Sequence, residues 1–130
     1  MNRFICYHFV FRTYKGKPIL IDPVVVEFLH KTFREISIAK EFRIIKSKIL
    51  ADHVHCLMEF DVNHRVDYVV RMIKGISSRR FFEEFNTNRY VSRKLWRRSY
   101  FAEIVKPQHL DIVSRYIEQQ MRMGIDKRDI

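Results

Sequence analysis

Residues 52–60 read Asp52-His53-Val54-His55-Cys56-Leu57-Met58-Glu59-Phe60, a mostly hydrophobic run without glycine or proline. It follows a second apolar run, Phe42 to Leu50, after a very short connection. Two such runs predict buried strands paired as an antiparallel hairpin. Side chains alternate along a strand, so Val54, Cys56, Met58 and Phe60 share the core face. His53 and His55 share the other. Two imidazoles on one rigid strand are a ready pair of metal ligands. With six histidines in the chain, about 0.3 His-x-His pairs are expected by chance, so the pair alone is a weak signal. Two histidines on a solvated strand face are the competing reading.

Upstream, Arg3 to Arg12 predicts a first strand. Phe4, Cys6, His8 and Val10 lie on one face, with Ile5, Tyr7, Phe9 and Phe11 on the other. Apolar residues on both faces place it centrally in a sheet. His8 reads as a structural histidine, with a supporting role at the metal or DNA as the alternative. Thr13 to Pro18, with Gly16 and Pro18, is a turn. Asp22 and Pro23 open a helix as N-cap and first helical residue. Val25, Phe28, Leu29, Phe33 and Ile36 form its buried stripe, and it is expected to end near Ser37.

Downstream, Asn63 is the expected N-cap of a second helix with Val66, Val69, Val70 and Ile73 as its stripe. Gly75 is expected to interrupt it. Asn86 to Arg98 reads as a polar, basic loop carrying Tyr90 and Trp96, and Ser99 to Val105 as a fourth strand. Pro107 opens a last helix, about residues 107–123, with Leu110, Val113, Ile117 and Met121 as its stripe and Gly124 as its end. The order β-α-β-β-α-β predicts an α+β, ferredoxin-like fold: a four-stranded antiparallel sheet with two helices on one face, plus a C-terminal helix. His53 and His55 then point to the open face.

One domain is expected for 130 residues. A hydrophobic content of 47% excludes a disordered tail. No apolar run has the length of a membrane span and no signal peptide is visible, so a cytoplasmic location is expected. Cys6 and Cys56 sit in apolar runs and read as buried thiols. Lys and Arg outnumber Asp and Glu by 25 to 15, a net charge of +10. That favours a polyanionic partner, nucleic acid before membrane. Arg71, Lys74, Arg79 and Arg80 are candidate phosphate-binding residues on the second helix. Lys94, Trp96, Arg97 and Arg98 combine a stacking platform with positive charge, as single-strand binders do.

Tyr116 and Gln120 stand four apart on the last helix and are neighbours there. The plain reading is an edge tyrosine and an exposed glutamine. If the helix lies over the open face, however, His53, His55 and Gln120 form a neutral three-ligand site with Tyr116 one turn away.

Four segments together, Asp52-His53-Val54-His55, Lys74-Gly75-Ile76-Ser77-Ser78, Ser99-Tyr100-Phe101 and Tyr116-Ile117-Glu118-Gln119-Gln120, resemble in order the small single-tyrosine transposases of the HUH (His-hydrophobic-His) class. These belong to the IS two-hundred/six-hundred-five group of insertion sequences. The resemblance implies Tyr116 as catalytic nucleophile, His53, His55 and Gln120 as ligands of a divalent Mg or Mn ion, and a 5′-phosphotyrosine intermediate. It implies single-stranded DNA with subterminal hairpins as substrate, and a homodimer able to exchange its C-terminal helices. Family members often have a glycine hinge before the tyrosine helix; here the junction is the stiffer Val105-Lys106-Pro107. Other readings are a domesticated repeat-processing relative, a replication-initiation nuclease of the same chemistry, or a non-catalytic nucleic-acid-binding module. A two-histidine phosphoesterase is disfavoured, because no His-x-Thr or His-x-Ser motif accompanies the first pair.

Overall fold

The structure, a computed structural model, describes residues 3–85 and 93–123, with side chains to residue 120. Tyr90, Gly124, the tail beyond it and the side chain of Met121 lie outside the described residues. The elements are β1 (Phe4–Arg12), α1 (Pro23–Lys40), β2 (Arg43–Ile49), β3 (His53–Asp61), α2 (Val66–Glu84), β4 (Phe101–Ile104) and α3 (Leu110–Met123). Short 3-10 turns precede α1 and α3, at Tyr14–Gly16 and Pro107–His109.

The four strands form one antiparallel sheet in the order β2-β3-β1-β4, the ferredoxin-like arrangement expected. β1 and β3 are central, which suits their apolar residues on both faces. α1 and α2 cover one face. There Phe9 and Phe11 of β1 and Val54, Cys56, Met58 and Phe60 of β3 meet Leu29, Phe33 and Ile36 of α1. Val69, Val70, Ile73 and Phe81 of α2 complete that core. α3 covers the other face, where Ile117 packs with Cys6, Leu57 and Val105. Among the described residues, no helix is long and apolar enough to cross a membrane.

Three local expectations are corrected. α1 runs past Ser37 to Lys40, and Glu41 ends it in the left-handed conformation at φ 62°. The helix start is as expected: the Asp22 carboxylate accepts from Val24 N–H at 2.9 Å. Asn63 does not cap α2; Arg65 holds that position. The Asp61 carboxylate accepts from the Asn63 N–H at 2.8 Å, so Asn63 is spent on the turn before the helix. Gly75 does not interrupt α2, which continues to Glu84. Its exposed position costs about 1 kcal/mol relative to alanine, and burial of Ile73, Ser77 and Phe81 on both sides carries the helix through.

Candidate active site

The pairing of β1 with β3 builds the floor of the site. Val10 stands opposite His55 and Arg12 opposite His53, while His8 reaches His55 along the diagonal. His8, His53, His55 and Gln120 are 4%, 2%, 0% and 2% exposed, so the solvated-face reading of the histidine pair fails.

Each histidine of the pair is held through Nδ1. His53 Nδ1 donates to the Asp52 carboxylate at 2.8 Å. His55 Nδ1 lies 2.9 Å from His8 Nε2, with the two rings nearly parallel at 17°. Burial, with His8 and His53 beside it, pushes the His55 imidazole down to about 3, so it is neutral at pH 7. Both Nε2 atoms remain without a hydrogen-bond partner, and so does the buried Oε1 of Gln120. Among the described residues one further buried side-chain atom shares that condition. It is Nε of Arg12, the cross-strand neighbour of His53, whose Nη2 lies 3.8 Å from Asp52.

α3 supplies the roof. Tyr116, half-buried, sets its ring edge-on to His8 and His55, with centroids 6.1 and 6.0 Å away. Ile117 fastens the helix to the sheet through the apolar cluster, and Glu118 pairs with Lys46 of β2. That lysine holds the Glu118 carboxyl below its ordinary range. The structure thus brings Tyr116 to the histidines within one chain and buries Gln120 one helical turn further on.

The proposed DNA-contacting residues are not gathered with them. Arg71 and Arg79 are exposed on α2, in the helical layer across the sheet from the histidines. Arg79 lies 3.8 Å from Glu83, and Arg80 bonds Glu35 of α1 at 3.2 Å. Lys94 sits over the Tyr14 ring at 5.4 Å, Arg97 is half-buried and Arg98 exposed. Lys74 donates to the carbonyls of Arg97, Arg98 and Ser99 at 2.5, 3.1 and 3.2 Å. Burial pushes its ammonium down to about 8. Its donors tie α2 to the chain ahead of β4.

Trp96 requires a correction. Its indole is 7% exposed and packs edge-on against Phe11 at 4.8 Å. Its Nε1–H donates to Ser77 Oγ at 2.9 Å. No base can stack on a ring held in the core, so the platform inferred from its basic neighbours is absent here.

Sequence reasoning passed over Asp52, Arg12 and Lys48 as site residues. Asp52 adjoins the His-x-His pair, and a carboxylate beside a ligand histidine is a recognisable signal. Lys48 pairs in register with His55 and so lies on the same face.

The donor set fits a divalent cation: two imidazole nitrogens and an amide oxygen, all buried and all unpartnered. Among the described residues no three His, Cys, Asp or Glu side chains cluster as a metal site; the third donor here is an amide.

A profile of IS200-like transposases matches residues 3–120. The IS200 transposase of Salmonella typhimurium is 31% identical over 84 residues, 63% of this chain and 55% of that protein. The alignment therefore spans about half the length of that relative. Among solved structures, a candidate transposase of Deinococcus radiodurans superposes with a TM-score of 0.74 at 25% identity, over 92% of this chain and 93% of that one. A REP-associated tyrosine transposase bound to a REP hairpin shares the fold, with a TM-score of 0.67 at 14% identity over 98% of this chain and 72% of that one.

Proposed function

The chain belongs to the IS200-like transposase family, and on that premise we propose that it cuts and rejoins single-stranded DNA with Tyr116 as nucleophile. One observation carries the reading: three buried polar atoms, on His53, His55 and Gln120, stand unpartnered on the sheet face where the Tyr116 ring meets His55. A non-catalytic binding module has no use for them, since each orphaned polar atom costs roughly 1–3 kcal/mol.

In this mechanism the Tyr116 oxygen attacks a backbone phosphorus and the bond to the 3′ oxygen breaks. A 5′-phosphotyrosine and a free 3′-hydroxyl result. The phenol, with an ordinary pKa of about 10, gives up its proton during attack. A second 3′-hydroxyl attacks the phosphotyrosine and releases Tyr116 without ATP, because the ester retains the bond energy. Mg or Mn, held by His53 Nε2, His55 Nε2 and Gln120 Oε1, would neutralise charge developing on the phosphate oxygens. Asp52 and His8 keep the two imidazoles aimed, and Arg12 and Lys48 add positive charge to the same face.

Hairpin-bearing single strands are the proposed substrate; the protein of similar fold was solved with a hairpin. The active unit is proposed to be a homodimer in which each α3 serves its own sheet, a reading that the Tyr116–His55 contact within one chain supports. The test is incubation with a single-stranded oligonucleotide from the flanking DNA, with Mn²⁺, and peptide mapping of any covalent adduct. The expected adduct is on Tyr116. An adduct on Tyr100 would remove the nucleophile assignment. Mixing Tyr116→Phe with His53→Ala protein should restore no activity, whereas rescue would show that α3 serves the partner.

A further inference from the structure

We infer that His8 is a positioning residue: it fixes the tautomer of His55 and so presents the His55 Nε2 lone pair to the cation. The inference rests on the metal-assisted reading above.

A contact of 2.9 Å between His55 Nδ1 and His8 Nε2 holds one proton, and two neutral rings can place it in two ways. If His8 Nε2 donates, the proton of His55 sits on its own Nε2. That N–H would then be buried and unpaired, and closed to a cation. If His55 Nδ1 donates, Nε2 is a lone pair and His8 carries its proton on Nδ1. The neighbouring donor atoms discriminate between the two. His53 donates from Nδ1 to a carboxylate that can only accept, the hydrogen bond that orients a ligand imidazole with its lone pair on Nε2. Gln120 Oε1 can only accept. A third acceptor completes a uniform set suited to a cation. A lone donor there would be expected to bond one of its neighbours, and His55 Nε2 bonds none.

The two ligand histidines are therefore oriented by unlike partners. His53 leans on the adjacent Asp52, legible in the chain as its neighbour. His55 leans on an imidazole 47 residues away, brought there by the β1–β3 register. An imidazole partner, unlike a carboxylate, holds the ring without adding a second negative charge, which leaves the cation's charge for the phosphate. The near-parallel rings at 5.2 Å, and the 4% exposure of His8, keep this contact away from competing water. Outer partners of this kind typically change metal affinity about 10–100-fold when removed.

The test uses the metal-free and Mn²⁺-titrated full chain as wild type, His8→Gln and His8→Phe. Nitrogen-15 NMR of the metal-free wild type should show the His55 proton on Nδ1, a measurement independent of any variant's folding. Finding it on Nε2 overturns the inference. Mn²⁺ titration followed by electron paramagnetic resonance should show binding weakened about 10–100-fold in His8→Phe. His8→Gln, whose amide oxygen can accept in the same place, should recover most of it. Equal affinity of His8→Phe and wild type overturns the positioning role while leaving the metal site standing. Wild type that binds no Mn²⁺ in a His53-dependent way removes both the role and the metal-assisted reading.

Discussion

On the face of the sheet covered by α1 and α2, polar groups enter the core with partners. Ser77 Oγ donates to the Lys74 carbonyl and accepts from the Trp96 indole. Ser37 Oγ donates to the Arg34 carbonyl, and Thr13 Oγ1 to that of Lys17. On the face covered by α3, three polar atoms of similar burial, on His53, His55 and Gln120, have none. At roughly 1–3 kcal/mol each, they offset a sizeable part of a typical domain stability of about 5–15 kcal/mol. The helical face is built to be stable without a ligand. The α3 face holds a cost that a bound cation would relieve, so the two faces should respond differently to the same kind of perturbation.

The largest separation is expected at Tyr116. Tyr116→Phe removes one hydroxyl and should lower DNA cleavage by about a thousandfold or more, with thermal stability and DNA affinity close to wild type. Measurable cleavage at the wild-type rate would return the α3 face to a packing role. On the other face, Trp96→Ala should cost about 3–5 kcal/mol in a denaturant titration, with DNA affinity per folded molecule preserved. A weakened complex without lost stability would put Trp96 back on the DNA.

Metal removal addresses the orphaned atoms directly. At Mn²⁺ concentrations near a hundred times Kd, wild type should gain about 2.7 kcal/mol of stability, lost on chelation. His53→Ala and Gln120→Ala should gain much less. A variant of Gln120 stabilised as strongly as wild type would strike it from the ligand set. The smallest effect concerns the outer surface of α2. Arg71→Ala should change stability by less than about 0.5 kcal/mol and, if that surface meets phosphate, reduce the salt dependence of DNA binding by about one counterion. An unchanged slope would leave the helical face with a structural role only.

Which residues could be read from the chain follows from how far apart their partners lie. Tyr116 and Gln120 are neighbours by helical geometry, and His53 and His55 by strand alternation. Asn63 was misread because its turn with Asp61 uses the same residue type that caps helices. Trp96 was misread because its flanking Lys94, Arg97 and Arg98 advertise a surface, while its contacts with Phe11 and Phe33 come from distant segments.

By itself the sequence determined the element order, the two faces of β3, the amphipathic stripe of α3 and the pairing of Tyr116 with Gln120, because each rests on a local period of two or 3.6 residues. Only the tertiary structure decided that α3 closes over its own histidines, that His8 rather than solvent meets His55, and that Trp96 is core. Those outcomes depend on strand register and helix docking. Both are set by the packing of residues far apart in the chain, for which a local pattern carries no signal.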